Sequence, residues 1–131
     1  MVKVGLLALL LVGMNLSVSA QTPSGITVQD GASSCKATMA INQGMSASAK
    51  EATDAALCLG TVIGVTNLLS RNCAALRSGQ AAGSVHSAAF PTDPASLAID
   101  AYVKWAAMNP QAANASFEDG MIDALVAAFP C

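Results

Sequence analysis

The sequence AALCLGTVIGVTNLL, residues 55–69, decides the fold of this chain. It is too apolar for a surface loop and shorter than the roughly 20 apolar residues that span a membrane. Side chains that suit a core return at steps of three and four residues, the period of an α-helix: Leu59, Val62, Ile63, Thr66 and Leu69. We predict that this stretch is the central helix of a small bundle.

Two glycines lie one helical turn apart in the same stretch. A glycine inside a helix costs about 1 kcal/mol relative to alanine, so Gly60 and Gly64 need a packing reason. The pair leaves one strip of the helix without side chains, and we predict that a neighbouring element approaches closely there. The glycine strip and the methionines of the chain are also compatible with a symmetric dimer, so a homodimer is possible.

The first residues have the pattern of a secretory signal peptide. Lys3 precedes an apolar run over residues 4–12, and Val18-Ser19-Ala20 supplies the small residues that signal peptidase reads. We predict cleavage after Ala20 and export of a single domain, residues 21–131. No cysteine follows the cut, so a lipoprotein is not expected.

The charge balance argues against two classes of partner. The full chain has 6 Lys and Arg, 8 Asp and Glu and a net charge of -2, and loss of Lys3 would make it about -3 by the same count. A mildly acidic domain has no electrostatic footprint for nucleic acid and no polybasic face for an anionic membrane. We predict neither nucleic acid nor membrane as a partner.

Four cysteines follow the predicted signal peptide: Cys35, Cys58, Cys73 and Cys131. In an exported chain they predict two disulfides. There is no C-x-x-C pair and only one histidine, so we predict neither a metal site nor a cofactor. Three pairings are possible, and an up-down bundle favours one of them. Antiparallel first and second helices bring Cys35 to Cys58, and the parallel second and fourth helices bring Cys73 to Cys131.

Capping residues and breakers divide the rest of the domain into helices and loops. A polar lead-in, residues 21–31, precedes a first helix over residues 33–41. Ser46 or Ser48 can cap the second helix, which should end at about residue 70. Residues 77–92 are predicted to form a loop. The sequence therefore predicts an all-α, disulfide-stapled bundle of about four helices.

The third and fourth helices have the clearer boundaries. Asp93 can cap the third helix with Pro94 at its first position, and Asn109-Pro110 ends it. Its predicted inner face is Leu97, Ala101, Trp105 and Met108, flanked by Ile99, Tyr102, Val103 and Ala106. Ser116 and Asp119 are spaced as a cap pair for the last helix, residues 116–128. Its inner face is predicted to be Phe117, Met121, Leu125 and Ala128.

No catalytic arrangement is visible in the sequence. His86 lies in a glycine-rich loop without a nucleophile beside it. Glu118 and Asp119 are adjacent in sequence, so they diverge on a helix and do not form a carboxylate pair. We predict a binding protein rather than an enzyme.

Three motifs resemble the Tai/Rap immunity proteins, the periplasmic antidotes to peptidoglycan amidases that bacterial type VI secretion delivers. They are CLGTVIGV at residues 58–65, AYVKWAAMNP at residues 101–110 and MIDALVAAFPC at residues 121–131. The resemblance covers about residues 30–131. One departure is Cys73-Ala74-Ala75-Leu76, where the family has a proline soon after the cysteine, and the loop that follows is longer here.

The resemblance implies an all-helical, commonly dimeric periplasmic domain that blocks its cognate amidase by inserting a protruding loop into the active-site groove. For that loop we select residues 109–114, a polar turn held between two helices, with Asn109, Pro110, Gln111 and Asn114 as contact residues. An alternative is a secreted helical module that binds a small apolar ligand, although the chain has few large aromatic residues to line a pocket.

Overall fold

The computed structural model describes residues 25–81 and 85–131, so the predicted signal peptide lies outside the described residues. The described part of the chain forms four α-helices and one short 3₁₀ helix and contains no β-strand. The helices are α1 (Val28–Asn42), α2 (Ala49–Arg77), α3 (Pro94–Met108) and α4 (Phe117–Ala128), with the 3₁₀ helix at Pro110–Ala112. The predicted all-α bundle of about four helices is confirmed.

Helix α2 is the longest element, with 29 residues. Ser48 begins it with a capping box: the Ser48 hydroxyl accepts from the Glu51 N–H at 3.2 Å, and the Glu51 carboxylate accepts from the Ser48 N–H at 2.8 Å. The predicted end near residue 70 was wrong. The helix continues to Arg77 because no glycine or proline interrupts residues 71–77.

The full length of α2 also bears on whether this helix is long enough to span a membrane. By length and composition alone this helix could cross a membrane, and its 18-residue apolar window has a mean hydropathy of 1.5 with 33% of it buried in the bundle. The shortness of residues 55–69 therefore does not by itself exclude a membrane span. Within the bundle, however, α2 packs against α1, α3 and α4, and a central helix of a folded domain meets the same criteria.

The core lies between the inner face of α2 and the other three helices. Val62, Thr66 and Leu69 are buried as predicted, whereas Ile63 is 53% exposed.

The inner face predicted for α3 was wrong at its two ends, since Leu97 and Met108 are 44% and 73% exposed. Its middle residues Ala101 and Trp105 are partly buried against the core. The predicted flanking residues Ile99 and Tyr102 are fully buried. The α4 prediction is confirmed for Phe117, Met121 and Leu125, which are all buried. It was wrong for Ala128, which is exposed in the last turn of the helix.

Tyr102 joins the helices through its polar end as well as its ring. The Tyr102 hydroxyl donates a hydrogen bond to the Val28 carbonyl at 2.9 Å, and the ring lies 5.3 Å from the ring of Phe117. Burial raises the pKa of the Tyr102 phenol, so this donor stays protonated. One side chain on α3 thus fixes the start of α1 and the start of α4.

Both predicted disulfides are present. Cys35 on α1 is bonded to Cys58 on α2 with 5.1 Å between the Cα atoms. Cys73 is bonded to Cys131 with 5.6 Å between the Cα atoms. Cys73 lies inside α2 rather than beyond its end as predicted, and the bond attaches the residue after Pro130 to the last two turns of that helix.

Helix α1 begins earlier than its sequence pattern indicated. Thr27 and Asp30 form a capping box, and Val28 is the first helical residue, so the part of the predicted lead-in from residue 28 onward is helical.

The side-chain cap predicted for α3 was wrong. Asp93 has a left-handed φ of 56° and its side chain makes no capping hydrogen bond, although Pro94 does occupy the first turn.

Gly31 allows α1 and α4 to approach closely, and we expect Gly31→Ala to destabilise the fold. A Cβ at Gly31 would lie 2.1 Å from Cδ2 of the buried Phe117 ring. Because overpacking a core costs about 1–3 kcal/mol, the free energy of unfolding in urea should fall by that amount. The matched control is Gly60→Ala, where nothing lies within 4 Å of the added methyl and helix propensity predicts a gain of up to about 1 kcal/mol. A Gly31→Ala protein as stable as the parent would show that the packing of α1 against α4 does not require a glycine at this position.

We expect mild reduction of the folded protein to open Cys73–Cys131 before Cys35–Cys58. Cys131 is exposed, whereas Cys35 and Cys58 are both 0% exposed, and thiol–disulfide exchange requires access for the attacking thiolate. Limited treatment with dithiothreitol, followed by alkylation and peptide mass spectrometry, should label Cys73 and Cys131 first. Simultaneous labelling of all four cysteines would show that the inner bond is not protected by the fold.

Candidate functional site

The connection between α3 and α4 is the polar turn selected from the sequence, and it is internally hydrogen-bonded. The Asn109 side-chain amide donates to the Trp105 carbonyl at 2.8 Å and closes the end of α3. The Gln111 side-chain amide donates to Oδ1 of Asn109 at 3.1 Å. The Ala112 N–H donates to the Asn109 carbonyl at 2.9 Å, which forms the 3₁₀ turn. The turn therefore has a defined conformation.

The first residues of α1 form backbone hydrogen bonds to the same turn. The Gln29 N–H donates to the Ala113 carbonyl at 3.1 Å, and the Val28 N–H donates to the Ala115 carbonyl at 2.9 Å. These two N–H groups belong to the first turn of α1, where no partner exists within the helix. The helix thus satisfies its own unpaired donors on the backbone of the turn, and the turn is fixed to the bundle.

The predicted contact residues differ in exposure. Pro110, Gln111 and Asn114 are exposed, whereas Asn109 is partly buried and uses its amide to hold the turn. Sequence reasoning placed Met108 in the core, but its side chain is 73% exposed next to the turn. Residues 105–117 carry no charged side chain. The turn therefore presents neutral hydrogen-bonding groups beside one exposed apolar side chain.

A second surface runs along the outside of α2. It is an open groove of about 560 Å³ between α2 and α4, lined by these residues: Ala56, Leu57, Gly60, Thr61, Gly64, Val65, Leu68, Glu118 and Ile122. The sequence predicted that a neighbouring element would pack closely on the glycine strip. That prediction was wrong for the described residues, since nothing lies within 4 Å of a Cβ added at Gly60 or Gly64.

The titratable groups considered from the sequence, His86, Glu118 and Asp119, are all exposed. His86 is exposed, and its backbone carbonyl accepts a hydrogen bond from the Asn72 side chain at 2.8 Å. The Asp119 N–H donates to the Ser116 hydroxyl at 3.1 Å, which confirms Ser116 as the cap of α4. Among residues 25–81 and 85–131, no group of three His, Cys, Asp or Glu side chains is placed to hold a metal ion.

Comparison with known proteins gives no relative for this arrangement: no family model, no curated protein and no solved structure matches the chain.

We expect acid to weaken the capping boxes at the starts of α1 and α2. Hydrogen bonds from the Thr27 side chain and then its N–H lower the pKa of Asp30, and hydrogen bonds from the Ser48 N–H and then its side chain lower the pKa of Glu51. A lowered folded-state pKa adds stability above the unfolded-state value, and that stability is lost as pH falls through the folded-state value. The free energy of unfolding should therefore decline below about pH 4.

Urea unfolding at a series of pH values, from about pH 7 to about pH 3, measures this decline. The control is the double variant D30N/E51Q, which keeps the size of both side chains and removes both carboxyl groups. It should show a shallower decline than the parent over the same interval. Equal slopes for the two proteins would show that these carboxylates do not contribute to acid lability.

Proposed function

We propose that this chain is a periplasmic immunity protein that binds a cognate type VI secretion peptidoglycan amidase and inhibits it by occluding its active site. The observation that carries the proposal is the turn at residues 109–114, which projects polar side chains from a backbone fixed by hydrogen bonds to α1 and α3. The two disulfides are consistent with an oxidising extracellular or periplasmic compartment.

A fixed turn is suited to insertion into a groove. Association costs free energy wherever a loop must be ordered, and the hydrogen bonds of residues 109–115 exist before any partner arrives. Gln111 and Asn114 are exposed and offer amide donors and acceptors. Met108 adds an apolar contact beside them. Amide groups next to one apolar side chain can bind in a cleft that combines a few polar groups with apolar walls, as enzyme sites usually do.

The groove between α2 and α4 supports one alternative, a secreted helical module that binds a small apolar ligand. Its volume of about 560 Å³ lies within the usual range for ligand sites, about 300–1,000 Å³. However, Leu57, Gly60 and Leu68 along its floor are all exposed, so a ligand would stay in contact with water over much of its surface. Ligand pockets usually enclose about 70–90% of the ligand, and we therefore place this function second.

The decisive experiment mixes the oxidised, exported protein with any amidase-like protein that is encoded beside its gene. Calorimetry and peptidoglycan hydrolysis are measured on the same samples. We expect one-to-one binding that abolishes hydrolysis. The double variant Q111A/N114A should weaken binding by about tenfold or more, because truncating the few side chains that dominate an interface costs about 2 kcal/mol or more and about 1.4 kcal/mol is tenfold in affinity. Thermal unfolding should change little, because both side chains are exposed.

The matched control is N42A, an exposed asparagine at the opposite end of α1 from the turn, and it should leave binding unaltered. Binding of an environment-sensitive apolar dye by the folded protein, without any effect on the amidase, would move the ligand-binding function to first place. Release of peptidoglycan fragments by the chain alone would indicate an enzyme. It would contradict both the immunity function and the ligand-binding function.

A further inference from the structure

A shallow groove between α1 and α3 adjoins the turn at residues 109–114. Its volume is about 230 Å³, and residues of both helices line it together with Ala113 of the turn. The Ala113 carbonyl accepts the hydrogen bond from the Gln29 N–H, so the turn lies at one end of the groove. Lys36 also lines the groove. It follows Gln29 by two turns of α1, which is about 10 Å along the helix axis.

The floor of this groove consists of small apolar side chains. Ala32, Val103 and Ala106 line it, and all three are partly buried against the core. The apolar residues that line the groove are all alanine or valine. Because these side chains project little from a helix, the backbone of a partner can approach both α1 and α3.

The edge of the groove on α1 is polar. Gln29, Ser33 and Lys36 are exposed, and steps of four and three residues place them on one face of the helix. The Ser33 hydroxyl donates to the Gln29 carbonyl at 3.1 Å, and the Gln29 side chain offers an amide donor and an acceptor. This edge therefore presents hydrogen-bonding groups near the turn and a positive charge at the far end.

The positive charge of Lys36 is not neutralised within the bundle. Helices α1 and α3 carry four charged side chains, namely Asp30, Lys36, Asp100 and Lys104. Lys104 is paired with Asp100, and Asp30 accepts hydrogen bonds from the cap residue of α1. The other ion pair within residues 25–81 and 85–131 lies on α2, so Lys36 forms none there. A partner that covers the groove would therefore meet one free cation.

We propose that the groove between α1 and α3 is a second contact with the cognate amidase, and that it receives an extended segment of the amidase whose carboxylate pairs with Lys36. The inference rests on the proposed function, because it places this segment beside the active-site cleft that the turn occupies. An extended chain rises about 3.3 Å per residue, so a groove about 10 Å long holds about three residues. The segment should have small side chains near the turn and an Asp or Glu at its far end.

The dimensions favour a protein segment over a small molecule. Ligand sites usually have volumes of about 300–1,000 Å³ and enclose most of the ligand, whereas this groove is smaller and its polar edge is exposed. A segment of a folded partner is positioned by the rest of the interface and does not need to be enclosed. An opposite charge on that partner also raises the association rate and selects among related amidases.

The test of the charge pair measures association kinetics by surface plasmon resonance. The oxidised, exported protein is combined with any amidase-like protein that is encoded beside its gene. K36E should lower the association rate constant about fivefold or more at about 0.1 M salt, and the deficit should shrink at about 1 M salt, where the Debye length is about 3 Å. K36R keeps the charge and should bind like the parent.

R71E is the matched charge control, since Arg71 is exposed on α2 and does not line the groove. It should change the association rate constant less than about twofold at about 0.1 M salt, because the Debye length there is about 10 Å. Carbodiimide, which joins a lysine amine to a carboxylate in direct contact, should link Lys36 to an Asp or Glu of the amidase. Peptide mass spectrometry then identifies that residue.

A second variant fills the groove without changing its charge. Ala107 is exposed and lines the groove, so A107L should raise the dissociation rate constant about tenfold. Leucine and alanine have similar helix propensities, so thermal unfolding should change little. The matched control is A127L, because Ala127 is exposed on α4 and does not line the groove, and it should bind like the parent.

The outcomes separate this inference from the proposed function. Binding that Q111A/N114A weakens, but that K36E and A107L leave unchanged, would overturn the groove contact alone. Binding that K36E and A107L weaken, but that Q111A/N114A leaves unchanged, would support the groove and remove the turn from the interface. A parent that binds no such amidase would overturn both. Effects of K36E and A107L on self-association alone would assign the groove to a contact between copies of the chain and would also overturn the inference.

Discussion

Burial of the inner face of α2 is the constraint on which the rest of the structure depends. Val62 and Leu69 on this face are fully buried, and all three other helices pack against it. The two cysteines of α2 lie on the same side of the helix and form disulfides with different elements. Cys58 is bonded to Cys35 on α1, and Cys73 is bonded to Cys131. An alanine-rich chain buries little area per residue, so covalent links at two levels of the central helix supplement a modest core.

The candidate site depends in addition on the close packing of α1 against α4. Gly31 on α1 lies against the Phe117 ring, and Gly120 on α4 lies against Val28. These contacts bring the starts of α1 and α4 together, and the unpaired N–H groups of α1 then bond to the backbone of the turn that precedes α4. Helix packing therefore fixes the turn from outside, in addition to the hydrogen bonds that its own residues Asn109 and Gln111 form.

The sequence predicted the architecture and both disulfides because those features follow from strong local signals. Pro94, Ser48 and the four cysteines each have few structural interpretations in a helical chain that is predicted to be exported. The sequence could not assign faces where two sides of a helix are equally apolar. Ile63 and Met108 were placed inside for that reason, and both are exposed. The start of α1 at Val28 was missed although Thr27 and Asp30 have capping-box spacing, because the glycines nearby suggested a loop.

The position of the Cys73–Cys131 bond has a consequence for cleavage of the chain by proteases. The connection between α2 and α3, which includes exposed Val85 and His86, lies inside the covalent ring that this bond closes. A single cut there would leave α3 and α4 attached to α2 through the two sulfur atoms as well as through the shared core. The nicked protein would run as two fragments only after reduction, and it would keep the turn at residues 109–114 in place. Where proteases are abundant, one cut in this accessible loop would therefore not separate the domain into fragments.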